Sequence, residues 1–270
     1  MEKRSLITLT TDFGNKEPFV GIMQGVVLGI NPFVQFVDLS HSIEPHNILQ
    51  AAYVIDAAYS FFPAGTIHLV VVDPGVGSNR KILMVKSHKY CFVAPDNGVL
   101  STILKKEKKY EIYQLDPEKF ITGEISATFH GRDVFAPAVA YFSLNQAPTL
   151  LGYRVDSSIE LNLPSPKKVG SHSFSGEVIY IDRFGNLISN FSSQFLRENI
   201  GKQAIKIKIG PHVISGLKSH YSNARPGEIS ALINSWNNIE IFLNVDSAAK
   251  FLKAAVGNVV EITREKVLKN

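Results

Sequence analysis

The stretch Ile67-His68-Leu69-Val70-Val71-Val72-Asp73-Pro74-Gly75 decides the fold. It is nearly all apolar without alternation, the pattern of a strand covered on both faces, and the turn-forming Asp73-Pro74-Gly75 ends it. Toward the N-terminus, Asn47 to Phe62 is Ala-rich and amphipathic, which predicts a helix closed by Pro63-Ala64-Gly65. Before it, Phe33 to Asp38 reads as a strand and Val20 to Ile30 as a helix stopped by Asn31-Pro32. Leu6 to Thr10 reads as a strand entering the loop Thr11-Asp12-Phe13-Gly14. Toward the C-terminus, Lys81 to Val85 and Lys89 to Ala94 add strands, the second ending in Pro95-Asp96-Asn97-Gly98. Asp133 to Ser143 predicts a helix that Pro137 either bends or starts. Strand–helix–strand alternation implies an α/β layer fold with a mostly parallel central sheet.

The pattern changes after Leu163-Pro164-Ser165-Pro166-Lys167-Lys168-Val169-Gly170, which has the composition of a linker. Gly176 to Ile181, Ile239 to Leu243 and Val259 to Ile262 read as strands. Ala204 to Ile209 alternates strictly, as a half-exposed strand does. The organisation is therefore an α/β N-terminal domain over residues 1–163, a linker at about 164–170 and a smaller, mainly-β C-terminal domain over 171–270.

The chain has 270 residues, 45% hydrophobic and 19% charged. That mix buries a full core and excludes a disordered, collagen-like or coiled-coil chain. The 28 Lys and Arg against 24 Asp and Glu leave a net charge of only +4, spread thinly, so no basic stripe marks a nucleic-acid partner. The single cysteine, Cys91, excludes an internal disulfide and a multi-cysteine zinc site. No apolar run approaches the roughly 18 residues that span a bilayer, and Met1-Glu-Lys-Arg-Ser lacks a signal-peptide layout. The runs Lys105 to Lys109 and Arg264-Glu265-Lys266 read as solvated surface. A soluble cytoplasmic protein is expected.

Asp12, Asp38, Asp73 and Asp96 each follow a strand-like run, and ligands in open α/β sheets sit beyond strand C-termini. Aspartate also serves turns and caps well, so position alone leaves both roles open. Three clusters carry candidate chemistry: Thr10 to Gly14, Asp73 to Arg80 and Phe129 to Asp133. Gly75-Val76-Gly77 lacks the remaining glycines or lysine of a phosphate loop. His130 and Asp133 could contribute to a metal site, but Arg80 and Arg132 oppose a bound cation, so no metal is expected. No GxSxG elbow is present. Asp73, Arg80 and His130 instead suit the handling of an anion or a water. Arginine is a permanent cation with a planar fork of donors; beside a carboxylate at 4 Å and an effective dielectric near 20 it is worth roughly 4 kcal/mol before desolvation. Histidine passes protons near neutral pH. Spacing alone equally allows a loop-bracing Asp73–Arg80 salt bridge and a core His130.

Residues 7–14 (ITLTTDFG), 20–32 (VGIMQGVVLGINP), 62–80 (FPAGTIHLVVVDPGVGSNR), 92–101 (FVAPDNGVLS), 128–140 (TFHGRDVFAPAVA), 181–190 (IDRFGNLISN) and 231–244 (ALINSWNNIEIFLN), in this order, resemble the S-adenosyl-L-methionine (SAM) hydroxide adenosyltransferases, adenosine-forming SAM hydrolases related to bacterial fluorinase and chlorinase. The resemblance implies a barrel-like C-terminal domain and a homotrimer, with each active site between one subunit's N-domain and a neighbour's C-domain. It implies that Asp73, Arg80 and His130 activate a water and that Asp12 holds the ribose hydroxyls. Asp182 and Ser235 match positions that hold the methionine end. Phe184 and Asn186 match residues around the adenosine, with Asn186 at the adenine edge, and Tyr221 falls where an aromatic packs on adenine. Trp236 stands where the fluorinase has an arginine, so that contact does not carry over. Gly131 takes the place of a fluorinase serine whose hydroxyl helps to hold the halide.

The implied reaction is cleavage of SAM to adenosine and methionine, with no cofactor beyond the substrate itself. The sulfonium makes C5′ electrophilic and leaves as a neutral thioether, so an aligned nucleophile matters more than an acid for the leaving group. Whether Asp73 or His130 takes the proton stays open at this level. A halogenase on the same scaffold and a non-catalytic adenosine or SAM sensor are the competing classes. The sensor would keep Asp12 and Asn186 without the water-activating set.

Overall fold

A computed structural model of the chain describes residues 5–201 and 203–265. The expectations for the first four residues and for Lys266 lie outside them. The chain divides into two compact units, Met1–Asn162 and Leu163–Asn270.

The first unit is built on a seven-stranded sheet of β1 (Leu6–Thr11), β2 (Gln35–Ser40), β3 (Ile67–Val71), β4 (Ile82–Ser87), β5 (Cys91–Pro95), β6 (Tyr110–Leu115) and β7 (Gly152–Val155), in the order β2-β1-β3-β5-β4-β6-β7. The first four strands of that order run parallel, and β4, β6 and β7 extend the sheet antiparallel. The mostly parallel sheet expected from the sequence is thus parallel in one half. The physical reason is chain length: only His88 to Tyr90 separate β4 from β5, and a parallel pair needs a crossover of a dozen residues or more.

The decisive strand behaves as its composition requires. Ile67, Leu69 and Val71 enter the core on one face, with Met23 and Val27 of helix α1 (Phe19–Ile30). Val70 and Val72 enter the core on the other, with Ala51, Ala52 and Ile55 of helix α2 (Ile48–Ala58). His68 shares that second face, fully buried among the rings of Tyr59, Phe62, Tyr90 and Phe92. Its Nδ1 shares a hydrogen bond of 2.8 Å with Thr8 Oγ1.

Parallel pairing puts the C-terminal ends of β1, β3 and β5 along one edge, and Asp12, Asp73 and Asp96 emerge there. Asp38 does not join them. It lies inside β2, exposed, where it accepts from Gln24 Nε2. Asp96 is buried and accepts the Ile159 N–H at 2.7 Å, so it braces a loop.

The predicted helix at 133–143 begins earlier and in a different winding. Gly131–Phe135 form a π turn, in which the Ala136 N–H reaches the Gly131 carbonyl, and α3 (Ala136–Ser143) continues from it. Pro137 stands in the first turn of that α-helical part. It has no N–H for the carbonyl four residues back, and the wider turn accommodates the mismatch.

The second unit contains β8 (Lys167–Lys168), β9 (Ser173–Ile181), β10 (Leu187–Ser192), β11 (Ile205–Ile209), β12 (His212–Ser215), β13 (Ile229–Ile233), β14 (Asn238–Leu243) and β15 (Val259–Arg264). Seven of these follow one antiparallel path, β12-β11-β15-β9-β10-β14-β13. Beyond β12 the Lys218 N–H donates to the Ala231 carbonyl of β13, which nearly closes the path into a barrel. Ile205, Ile207 and Ile209 point into its core, while Lys206 and Lys208 pair outside with Glu265 and Glu261. The segment read as a linker carries β8, which pairs with β9.

The buried imidazole yields a stability prediction. Burial lowers the His68 pKa from the ordinary 6.5 to about 4, so charging it in place costs roughly 3 kcal/mol. Between those pH values the unfolded chain binds the extra proton; stability held above pH 6.5 is therefore lost as the pH falls toward 4. Urea midpoints should drop steeply between pH 6.5 and 4.5 in the wild type and much less in His68→Asn. Equal slopes would contradict this origin.

Candidate active site

The loop after β3 folds back on itself so that residues seven apart meet. Gly77, at φ +79°, lets the backbone press against the Ala127 carbonyl, where any Cβ would collide. Ser78 Oγ donates to the Gly75 carbonyl at 2.6 Å. Arg80 Nε consequently donates to both Asp73 oxygens, at 2.6 and 2.7 Å, and Arg80 Nη2 adds a second close contact to Oδ2. The side chains are only 10% and 6% exposed, respectively. The guanidinium stacks over Phe135 with its carbon 5.5 Å from the ring centroid.

Arg80 Nη2 also lies 3.0 Å from His130 Nδ1. Arginine can only donate, so Nδ1 is the accepting nitrogen and a neutral His130 carries its proton on Nε2. Burial first and the Arg80 charge second lower the His130 pKa, against weaker upward pulls from Asp73 and Asp133. The imidazole is held neutral. Asp133 is engaged elsewhere: it accepts from Arg132 at 2.5 and 2.9 Å and from the Ser126 N–H at 2.8 Å. Among the described residues no group of three or more His, Cys, Asp or Glu side chains is placed to hold a metal ion.

Asp73 and His130 line a cavity of about 310 Å³ together with Asp12, His46, Thr128 and Gly131. Asp12 Oδ2 accepts the His46 N–H at 2.9 Å, and His46 adopts the left-handed φ of 66°. Phe13, Phe19 and Phe129 form an edge-to-face group, with centroids 5.2 to 6.2 Å apart, on the same cavity. Sequence reasoning missed this aromatic wall and His46; each aromatic there looks like an ordinary core residue. Gly131 has no unusual φ. A Cβ on it would stand 3.0 Å from Met23 Sδ and 3.0 Å from Phe129, so a side chain there needs those two side chains to give by a few tenths of an ångström.

The second unit holds its own cleft, about 660 Å³, lined by Asp182, Phe184, Asn186 and Tyr221 and by the segment from Phe242 to Ser247. Asp182 shapes the β9–β10 turn. Its Oδ1 accepts the N–H groups of Phe184 and Asn186, and its Oδ2 accepts Asn186 Nδ2 at 3.1 Å. The turn leaves Phe184 77% exposed. Ser235 is exposed in the β13–β14 turn and stands outside the residues lining the cleft. The structure thus brings together Asp73, Arg80, His130, Asp12 and Gly131 in one unit, and Asp182, Phe184, Asn186 and Tyr221 in the other.

Residues 7–152 match the SAM hydroxide adenosyltransferase N-terminal domain, and residues 176–261 match the C-terminal domain. The chain belongs to the SAM hydroxide adenosyltransferase family. It is similar to an (R)-S-adenosyl-L-methionine hydrolase of Methanocaldococcus jannaschii, 33% identical with 95% of each chain covered. A crystal structure of an uncharacterized conserved protein from Thermotoga maritima superposes with a TM-score of 0.87 at 32% identity, covering 96% of this chain and all of that one. A fluorinase of Actinoplanes is more distant, 27% identical over 68% of this chain and 71% of its own.

The contact between Arg80 and His130 yields a prediction. Removing the guanidinium removes a downward pull on the imidazole and leaves the upward pull of Asp73. In Arg80→Met, NMR titration of the His130 ring should give a higher pKa than in the wild type. A pKa unchanged or lowered would show that the two groups are not coupled as described.

Proposed function

We propose that the protein is an enzyme that hydrolyses SAM to adenosine and L-methionine, by in-line attack of an activated water on C5′ of the ribose. The carrying observation is the buried Asp73–Arg80–His130 contact on a cavity that also holds Asp12; family membership and the similarity to the named hydrolases support it. The relatives' names specify the (R) configuration at sulfur, and the proposal takes over that preference.

In this reading Asp12 holds the ribose hydroxyls and the aromatic wall keeps bulk water from the reacting carbon. A water between Asp73 and His130 attacks C5′, the C5′–S bond breaks, and its electron pair stays on sulfur as neutral methionine. The proton goes to Asp73, because the accepting nitrogen of His130 is engaged by Arg80 and its other nitrogen already bears a proton. His130 then offers an N–H to hold the attacking oxygen. Fixing that oxygen on the line of attack is an orientation effect, and effects of this kind are worth up to about 7–11 kcal/mol. Asp182, Asn186, Phe184, Tyr221 and Ser235 take the adenosine and amino-acid ends. The step calls on no metal and no cofactor.

The same reading includes a homotrimer in which the two sets of residues come from neighbouring subunits. It includes a cytoplasmic setting, in keeping with the single buried thiol, Cys91. Among the described residues no helix is long and apolar enough to cross a membrane.

A halogenase is the second reading, and Gly131 weighs against it. The glycine offers a halide no hydroxyl. A lost hydrogen bond to a charged group costs about 1.5–3 kcal/mol, or a factor of roughly ten to a hundred and fifty. Incubated with SAM enriched in the (R) form, the pure protein should release adenosine and methionine in equal amounts, faster than with the (S) form. Molar chloride should yield no 5′-chloro-5′-deoxyadenosine. Intact SAM would refute the hydrolase reading, and a chlorinated nucleoside as the main product would establish the halogenase.

A further inference from the structure

Behind Tyr221 lies a carboxylate with no role so far. Glu240 is central in β14, opposite Ile188 of β10 on one side and Leu232 of β13 on the other, and is 3% exposed. A charge in the middle of a sheet is expensive unless hydrogen bonds satisfy it. Among the described residues neither Glu240 nor Asp182 has an ion-pair partner. Neutral donors serve Glu240 instead: closest are the Tyr221 hydroxyl at 2.7 Å and Asn234 Nδ2 at 3.1 Å, and the Asn186 side chain adds a further hydrogen bond.

The two closest donors lead to different parts of the candidate site. Tyr221 lines the cleft beside Asp182 and Asn186, its ring edge-on to Phe242 with centroids 5.0 Å apart. Its hydroxyl proton is spent on Glu240, so toward a ligand it offers the ring and an accepting oxygen but no donor. Asn234 Oδ1 accepts the N–H groups of Trp236 and Asn238, at 3.0 and 3.1 Å, and so shapes the turn that carries Ser235. One buried carboxylate therefore fixes both an aromatic wall and the serine turn.

We propose that Glu240 is a positioning residue for substrate binding, which acts through Tyr221 and Asn234 to preset the surfaces that receive the nucleoside and amino-acid ends. This rests on the reading that the cleft binds SAM. A sharp consequence follows from donor geometry. Asn234 cannot flip its amide, because its oxygen already holds two backbone N–H groups. In Glu240→Gln the new amide must turn its oxygen to Asn234 and its nitrogen to Tyr221, which reverses the Tyr221 hydrogen bond while sparing the turn.

The test uses Glu240→Gln and Tyr221→Phe, singly and together, in the full-length protein. Each single variant should raise KM for SAM about tenfold with kcat within twofold of the wild type. The double variant should be no worse than either, because both abolish the same donation from the Tyr221 hydroxyl to a carboxylate at position 240. In ligand-free protein the Tyr221 hydroxyl proton should be protected and visible by NMR, and lost in Glu240→Gln. An unchanged KM, additive losses, or a fall in kcat alone would overturn the proposal. If the wild type leaves SAM intact, the hydrolase reading fails by itself, and adenosine affinity by calorimetry replaces KM. A tenfold weaker affinity in Glu240→Gln then upholds the positioning role; an unchanged affinity, or none in the wild type, overturns it.

Discussion

Arg80 is a permanent cation with a tenth of its side chain exposed, and the geometry of the cleft follows from satisfying that charge. Taking a guanidinium out of water costs several kcal/mol unless its donors are met. Asp73 meets two of them, His130 meets a third, and the Phe135 ring covers its face. Asp73 comes from the arginine's own loop, and His130 and Phe135 come from the π-turn segment, so the arginine ties the β3 loop to a segment fifty residues later. Loss of either polar partner would leave a buried cation underpaired.

The sheet supplies the rest of the constraint. Parallel pairing of β1 with β3 delivers Asp12 and Asp73 to the same edge, and the π turn that follows His130 begins at Gly131, beside Met23 of α1. In the second unit a carboxylate also organises the backbone: Asp182 gathers the N–H groups of its own turn, and buried Glu240 gathers a tyrosine and an asparagine. Both clefts are thus shaped by acids whose hydrogen bonds are made inside the protein.

Much of this was legible in the sequence where period and polarity agree. The unbroken apolar run of β3 and the strict alternation of β11 appear in the structure as read, because local pattern and burial coincide there. The Asp73, Arg80 and His130 trio was legible as a possibility from residue types, while spacing alone equally allowed a loop-bracing salt bridge and a core histidine; the resemblance chose between them. Asp38 misled because β2 runs past it to Ser40. The π turn was hidden, since Pro137 signals a bend or a start without saying which winding precedes it. Glu240 reads in Ile239-Glu240-Ile241 as a solvent-facing position of an alternating strand. It is buried because β14 has neighbours on both sides and Tyr221 and Asn234 cover it.

The central claim is that water, aligned by Asp73, Arg80 and His130, displaces methionine at C5′. Turnover of SAM in water enriched in heavy oxygen, followed by mass spectrometry of both products, tests it most directly. The account predicts one labelled oxygen in adenosine, at the 5′-hydroxyl, and none in methionine. Label in methionine, or adenosine formed without label, would contradict it.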